Sequence, residues 1–85
     1  MVEIKLIIPT DKFEEEIKKI KDGSLKEKIK KQLKKIVERP EVGKPLSYDL
    51  KGERTIYIKP YRLIYSIEGD KIILLRFEHR KEVYR

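Results

Sequence analysis

No cysteine occurs in the 85 residues, which excludes disulfides and thiolate metal sites together. A single histidine, His79, leaves no histidine cluster to hold a metal. Carboxylates alone can bind a hard cation, but most of the acids here are interleaved with lysines. No run approaches the ~20 apolar residues that a membrane span requires. The opening MVEIKLIIPT carries Glu3 and Lys5 around a short apolar stretch, so no secretory leader is expected. These absences describe a soluble, cytoplasmic chain with no metal, no cofactor and no membrane partner. The length suits one domain, residues 1–85, whose core is marginal unless its elements are near-ideal or a partner adds to it.

Charge is what the chain has in quantity. Charged residues make up 44%, Lys and Glu dominate and Met occurs once, a balance that suits a thermophile. The net charge is +7, and residues 12–39 alone hold eleven basic and six acidic side chains. Residues 44–65 and 71–85 each hold five basic and two acidic ones. A polyanion, nucleic acid or an acidic protein segment, is the natural partner of such a surface. An ordinary lysine-rich exterior has the same composition, so charge leaves both readings open.

The hydrophobic pattern predicts a strand over Val2–Ile8, with Ile4, Leu6 and Ile8 on one face and Glu3 and Lys5 opposite. Thr10 or Asp11 then caps a helix, Asp11 with Glu14 in a capping box. Phe13, Ile17 and Ile20 form its apolar stripe, and Asp22-Gly23 is expected to stop it. Ser24-Leu25-Lys26-Glu27 reads as a second capping box, followed by Leu25, Ile29, Leu33 and Ile36 on one face and lysines around the rest. Arg39-Pro40 closes this helix, and the short connection between the two predicts an antiparallel hairpin. Tyr48 to Leu50 begins the second strand or leads into it. Arg54–Lys59 alternates, with Ile56 and Ile58 on one face and Thr55, Tyr57 and Lys59 on the other. Pro60 marks a turn, Tyr61–Ile67 is a strand, Glu68-Gly69-Asp70 a hairpin turn and Lys71–Phe77 the last strand. The fold class is therefore α+β: a β-αα-βββ order, with a three-stranded antiparallel meander and both helices packed on one face of a four-stranded sheet. The opposite face is left for a ligand.

The element order, the size, the stretch YRLIY (Tyr61 to Tyr65) and the ending HRKEVYR (His79 to Arg85) resemble the RelE toxins of the RelE/ParE superfamily. The resemblance implies the toxin of a type II toxin–antitoxin pair, a ribosome-dependent, metal-independent mRNA endoribonuclease acting in the A site. It implies attack by a ribose 2′-hydroxyl on the adjacent phosphate, which leaves a 2′,3′-cyclic phosphate and a 5′-hydroxyl. It also implies a RelB-like antitoxin that wraps the toxin in a hetero-oligomer. Such chemistry needs a proton acceptor, a donor for the leaving oxygen and cations around the phosphorane. Arg62 matches the family's central-strand arginine, which would hold phosphate. Arg80 matches a second arginine, for phosphate binding or leaving-group protonation. Tyr84 matches the tyrosine used near the 2′-hydroxyl, by stacking or as a base. A tyrosine base has a reference pKa of about 10, which Arg80, Lys81 and Arg85 would have to lower. His79, with a reference value of about 6.5, is the alternative acid or base.

One departure stands out. In many relatives the strand before YR carries two basic residues at alternate positions, and here those positions are Thr55 and Tyr57. The family's pair is therefore not carried over, and Lys51 and Lys59 are the candidates to supply its charge. Lys51, Arg54, Lys59, Tyr57, Lys81 and Arg85 make up the expected RNA-binding set, with Tyr57 stacking on a base. Two alternatives share the scaffold: a ParE-like inhibitor of DNA gyrase, and a degenerate toxin that survives as a binding module with its antitoxin. The arginine–tyrosine ending favours the nuclease over the gyrase inhibitor, whereas Thr55 and Tyr57 keep the binding module open.

Overall fold

The computed structural model describes residues 3–45 and 52–79. Its first strand, Leu6–Pro9 (β1), is shorter than expected and presents the opposite face. Ile7 and, ahead of the strand, Ile4 pack on the core. Leu6 and Ile8, assigned inward from sequence, are 50% and 37% exposed. The cause is the partner strand: β1 runs parallel to Lys71–His79 (β5) with Ile7 opposite Ile72, which is fully buried. An unbroken Leu-Ile-Ile run carries no alternation of its own, so pairing alone chooses the face.

The helices differ from expectation at their ends. The first, Asp11–Lys18 (α1), is capped by Thr10, whose Oγ1 accepts from the Phe13 N–H at 3.2 Å. The same hydroxyl is 2.9 Å from the Leu74 carbonyl oxygen, so the cap also ties α1 to β5. Asp11 and Glu14 do not form the cap; they sit in the first turn, where carboxylates complement the helix dipole. Asp22 starts the second helix, Gly23–Glu38 (α2), rather than ending the first. Its Oδ1 accepts from the N–H groups of Ser24 and Leu25 at 2.9 and 3.4 Å. Ser24 is thus inside the helix, and Gly23 is its first residue, with no left-handed backbone. Among the described residues only Gly52 and Gly69 have positive φ, 82° and 64°. The predicted stripe holds: Leu25, Ile29 and Ile36 are buried and Leu33 packs against them. Phe13 and Ile17 of α1 share one groove with Ile29 and Leu33 of α2, the arrangement of an antiparallel hairpin.

Among the described residues the sheet has five strands, in the order β1-β5-β4-β3-β2, with the helices on one face. Lys44–Pro45 (β2), Glu53–Ile58 (β3), Tyr61–Glu68 (β4) and β5 form an antiparallel series. The strand β2 went unpredicted because two residues, one of them proline, leave no periodicity; proline is tolerated there because β2 is an edge. The expected Tyr48–Leu50 segment lies outside the described residues. The β4–β5 hairpin turns at Gly69, whose positive φ suits a tight turn. The Lys59–Pro60 peptide between β3 and β4 is cis. Alternation along β4 sends Leu63 and Tyr65 to the helix side and Ile64 to the other, all fully buried, and the register shift at Ile64/Tyr65 skips Leu75 of β5.

Tyr65 fastens the connection after α2 to the sheet. Its hydroxyl donates to the Pro40 carbonyl and accepts from the Gly43 N–H at 3.0 Å. A Cβ on Gly43 would lie 2.7 Å from that hydroxyl, so only glycine fits. Arg54, opposite Tyr65 in the β3–β4 register, donates from Nη1 to the Gly43 carbonyl at 2.8 Å and to that of Glu41 at 3.3 Å. Burial raises the Tyr65 pKa above its ordinary value, against the lowering effects of the Gly43 hydrogen bond and the Arg54 charge. The folded state therefore holds the phenolic proton more tightly than the unfolded chain. That stabilisation is complete below the ordinary value of about 10 and is lost as pH rises through the raised one. Tyr65→Phe leaves the buried Gly43 N–H without its partner and should cost about 1–3 kcal/mol. In urea titrations this appears as a lower midpoint at unchanged slope. The difference between variant and parent should shrink above pH ~10.

Candidate functional site

Alternation in β3, β4 and β5 fixes which side chains stand on the sheet face away from the helices. Tyr57 on β3 pairs with Arg62 on β4, and Arg62 with Glu78 on β5, which makes one row across three strands. The next row is Thr55, Ile64 and Arg76, and beyond it Glu53 pairs with Ser66. Directly opposite residues in antiparallel strands lie roughly 4.5–5.5 Å apart, so each row is a set of contacting side chains.

An alternating chain of charges links these rows. Arg76 Nη2 is 2.6 Å from Glu53 Oε1, and Arg76 Nε is 3.6 Å from Glu78 Oε2. Glu78 Oε1 is 4.0 Å from Arg62 Nη2. The Arg62 side chain is only 18% exposed, and its buried Nε has no hydrogen-bond partner among the described residues. Thr55 Oγ1 is buried in the same condition. Two guanidiniums and two carboxylates leave this patch neutral. Beside it the ring of Tyr57 is 51% exposed and available for stacking.

The expected site residues separate into three groups. Arg62 and Tyr57 are neighbours on the open face, with exposed Lys59 in the turn that joins their strands. Arg54 stands on the other side, where its guanidinium holds the 41–43 backbone. His79 also faces the helix side: it is opposite Tyr61, ring centroids 5.1 Å apart in an edge contact, and Tyr61 stacks on Phe77. Arg62 and His79 are therefore on opposite faces of the sheet. Lys51, Arg80, Lys81, Tyr84 and Arg85 lie outside the described residues. Sequence reasoning passed over Glu53, Arg76 and Glu78. The signal was there, because 76 and 78 alternate with buried Phe77 and must share the face opposite to it. Among the described residues no group of three His, Asp or Glu side chains converges as a metal site would require.

Residues 7–84 match the family model of the ParE toxin of type II toxin–antitoxin system, parDE. The chain belongs to this toxin family. Toxin RelG of Mycobacterium tuberculosis is 39% identical over 46 residues, which is 52% of this chain and 53% of RelG, so the match spans about half of each. The fold resembles that in the RelB–RelE antitoxin–toxin complex of Methanococcus jannaschii, with a TM-score of 0.73, 21% identity, and 91% and 94% of the two chains covered. The ParDE system of P. aeruginosa gives a TM-score of 0.66 at 21% identity, covering 91% and 96%. The E. coli DinJ–YafQ toxin–antitoxin complex gives 0.66 at 20% identity, covering 99% and 100%. At such identities these likenesses establish the fold. Family and fold together place the ParE-family chain in the RelE/ParE superfamily, as YRLIY and HRKEVYR implied.

Proposed function

We propose that this toxin is a ribosome-dependent mRNA endoribonuclease of the cytoplasm, held inactive by a cognate antitoxin. The observation that carries the proposal is the row Tyr57–Arg62, an exposed aromatic ring directly across from a half-buried guanidinium on an open sheet face. A nucleotide fits such a row with its base stacked on Tyr57 and its phosphate on Arg62. In the reaction the 2′-oxygen bonds to phosphorus and the bond from phosphorus to the 5′-oxygen breaks. The 2′-hydroxyl proton passes to a base, and a second proton reaches the departing 5′-oxygen. Arg62 stabilises the charge that builds on the non-bridging oxygens. His79 faces the other side of the sheet, which favours Tyr84 as the base and Arg80 as the donor to the leaving oxygen.

An antitoxin of the kind expected, helix plus extended segment, has surfaces to cover. Ile7, Pro9, Phe13, Ile17, Leu33 and Leu74 line an apolar groove of about 370 Å³ between the helices and β1. Glu14 and Lys18 stand at its edges, and the adjoining groove between the helices carries Lys26 and Lys30, which would suit an acidic amphipathic helix. The free edge of β1 can accept a strand beside the exposed Leu6 and Ile8.

Gyrase inhibition is the second reading. It is favoured by the family model that matches and by the pairing, among the described residues, of Arg62 and Arg76 with Glu53 and Glu78. Primer extension on mRNA from a translation reaction decides between them. Cuts that need ribosomes and end in 2′,3′-cyclic phosphate are expected. Their absence, with supercoiling inhibited, would establish the gyrase reading; neither effect would leave a binding module.

A further inference from the structure

The carboxylate of Glu78 lies between the guanidiniums of Arg62 and Arg76 on the open face. It hydrogen-bonds to neither, one oxygen being 4.0 Å from Arg62 and the other 3.6 Å from Arg76. The tight bond in the network lies elsewhere, between Arg76 and Glu53 at 2.6 Å. Arg62 keeps a buried Nε–H that no described residue accepts. Its Nη2 is the end that points towards the Glu78 carboxylate, on the face from which an anion would approach. A phosphodiester carries the same charge as a carboxylate and offers two oxygens in a similar spread, which guanidinium forks bind well.

We infer that Arg62 and Arg76 together form a phosphodiester-binding site and that Glu78 is its built-in competitor. The inference rests on the phosphate-binding reading of Arg62 and extends it to two residues that the resemblance does not supply. Because the Glu78 contacts are long and its side chain is 30% exposed, the carboxylate can turn to solvent when a phosphate arrives. Glu78 thereby lowers affinity for free single-stranded RNA, since its charge offsets the two guanidiniums that the phosphate would meet. Cleavage then depends on a second surface to hold the RNA, as dependence on the ribosome requires.

The test is anisotropy of a fluorescein-labelled 2′-O-methyl oligoribonucleotide, which binds but cannot be cut. Glu78→Gln should tighten binding by about tenfold at low salt. Glu27→Gln removes the same charge from an exposed position on α2 and should change binding by less than about twofold. The double variant Arg62→Ala with Glu78→Gln should lose the gain. The inference is overturned if Glu78→Gln, folded by circular dichroism, binds no tighter than Glu27→Gln, or if the gain survives Arg62→Ala. Should Glu78→Gln fail to fold, the unaltered protein answers through its arginine Nε–Hε resonances. Those of both Arg62 and Arg76 should shift on adding the oligomer, and a shift at neither or at only one overturns the paired site. The assay uses no ribosomes, so the two ideas can fail separately. Missing cuts in translation reactions refute the nuclease, whereas an absent Glu78 effect refutes the competitor.

Discussion

Arg62→Ala should lower ribosome-bound mRNA cleavage by about two to three orders of magnitude and leave the protein folded. The loss follows from where charge develops. In the proposed reaction the phosphorane gains negative charge as the 2′-oxygen attacks, and Arg62 is the guanidinium that the sheet holds beside the exposed Tyr57 ring. Survival of the fold follows from how little Arg62 does for it. Its described ion pair spans 4.0 Å, and its Nε has no described acceptor, so truncation breaks no strong bond. A stability change within about 1 kcal/mol is expected, read as a small shift in melting temperature. Arg62→Lys keeps the charge but loses the planar fork, and should fall between parent and alanine variant. A folded Arg62→Ala protein that cuts mRNA at the parental rate would remove this residue from the mechanism.

What the sequence disclosed and what it hid have physical causes. Both helices and β3 were legible from their own periodicity, as in Leu25, Ile29 and Ile36 or Ile56 and Ile58, and β4 and β5 as β-rich runs bounded by Pro60 and the Glu68-Gly69-Asp70 turn. The ends of the helices were not, because Thr10, Asp11, Asp22 and Ser24 are all good capping residues and tertiary contacts choose among them. Thr10 prevails by also bonding to the Leu74 carbonyl of β5. The facing of β1 depended on a parallel partner 65 residues away, Leu6 against Lys71, which local alternation cannot reveal. At the candidate site, the open-face position of Tyr57 was legible from strand alternation, and Arg62 was singled out by the YRLIY resemblance. Arg54 resembled another RNA contact because its charge is visible in sequence, whereas the Gly43 carbonyl that it satisfies is not. Glu78 was passed over because a search for cations ignores the carboxylate placed between them.

Phe77→Ala should cost about 3–5 kcal/mol, the usual range for emptying a buried aromatic site. The ring is fully buried, stacked on Tyr61 with centroids 4.6 Å apart and planes 15° apart, and edge-on to Phe13 at 6.2 Å and 72°. Its cross-strand neighbour Leu63 is also fully buried and held in the sheet, so little of the surroundings can move in to fill the cavity. For a domain of this size total stability is of order 4–13 kcal/mol, so the variant would be partly unfolded at growth temperature. In a thermal melt each kcal/mol corresponds to about 4–8 °C, which makes the expected fall at least ~12 °C. The consequence for the site is indirect but strict. Arg76 and Glu78 flank Phe77 on β5 and face the other way only because Phe77 is anchored inward; a slip of one residue would exchange the two sides. Phe77→Leu refills most of the volume and keeps the anchor, so it should restore most of the stability, and mRNA cleavage should return with it. If that variant were stable yet inactive, the stacked pair of Phe77 and Tyr61 would have a part in the chemistry that packing does not explain, and the neighbouring His79 ring, in contact with Tyr61, would be the first place to look for it.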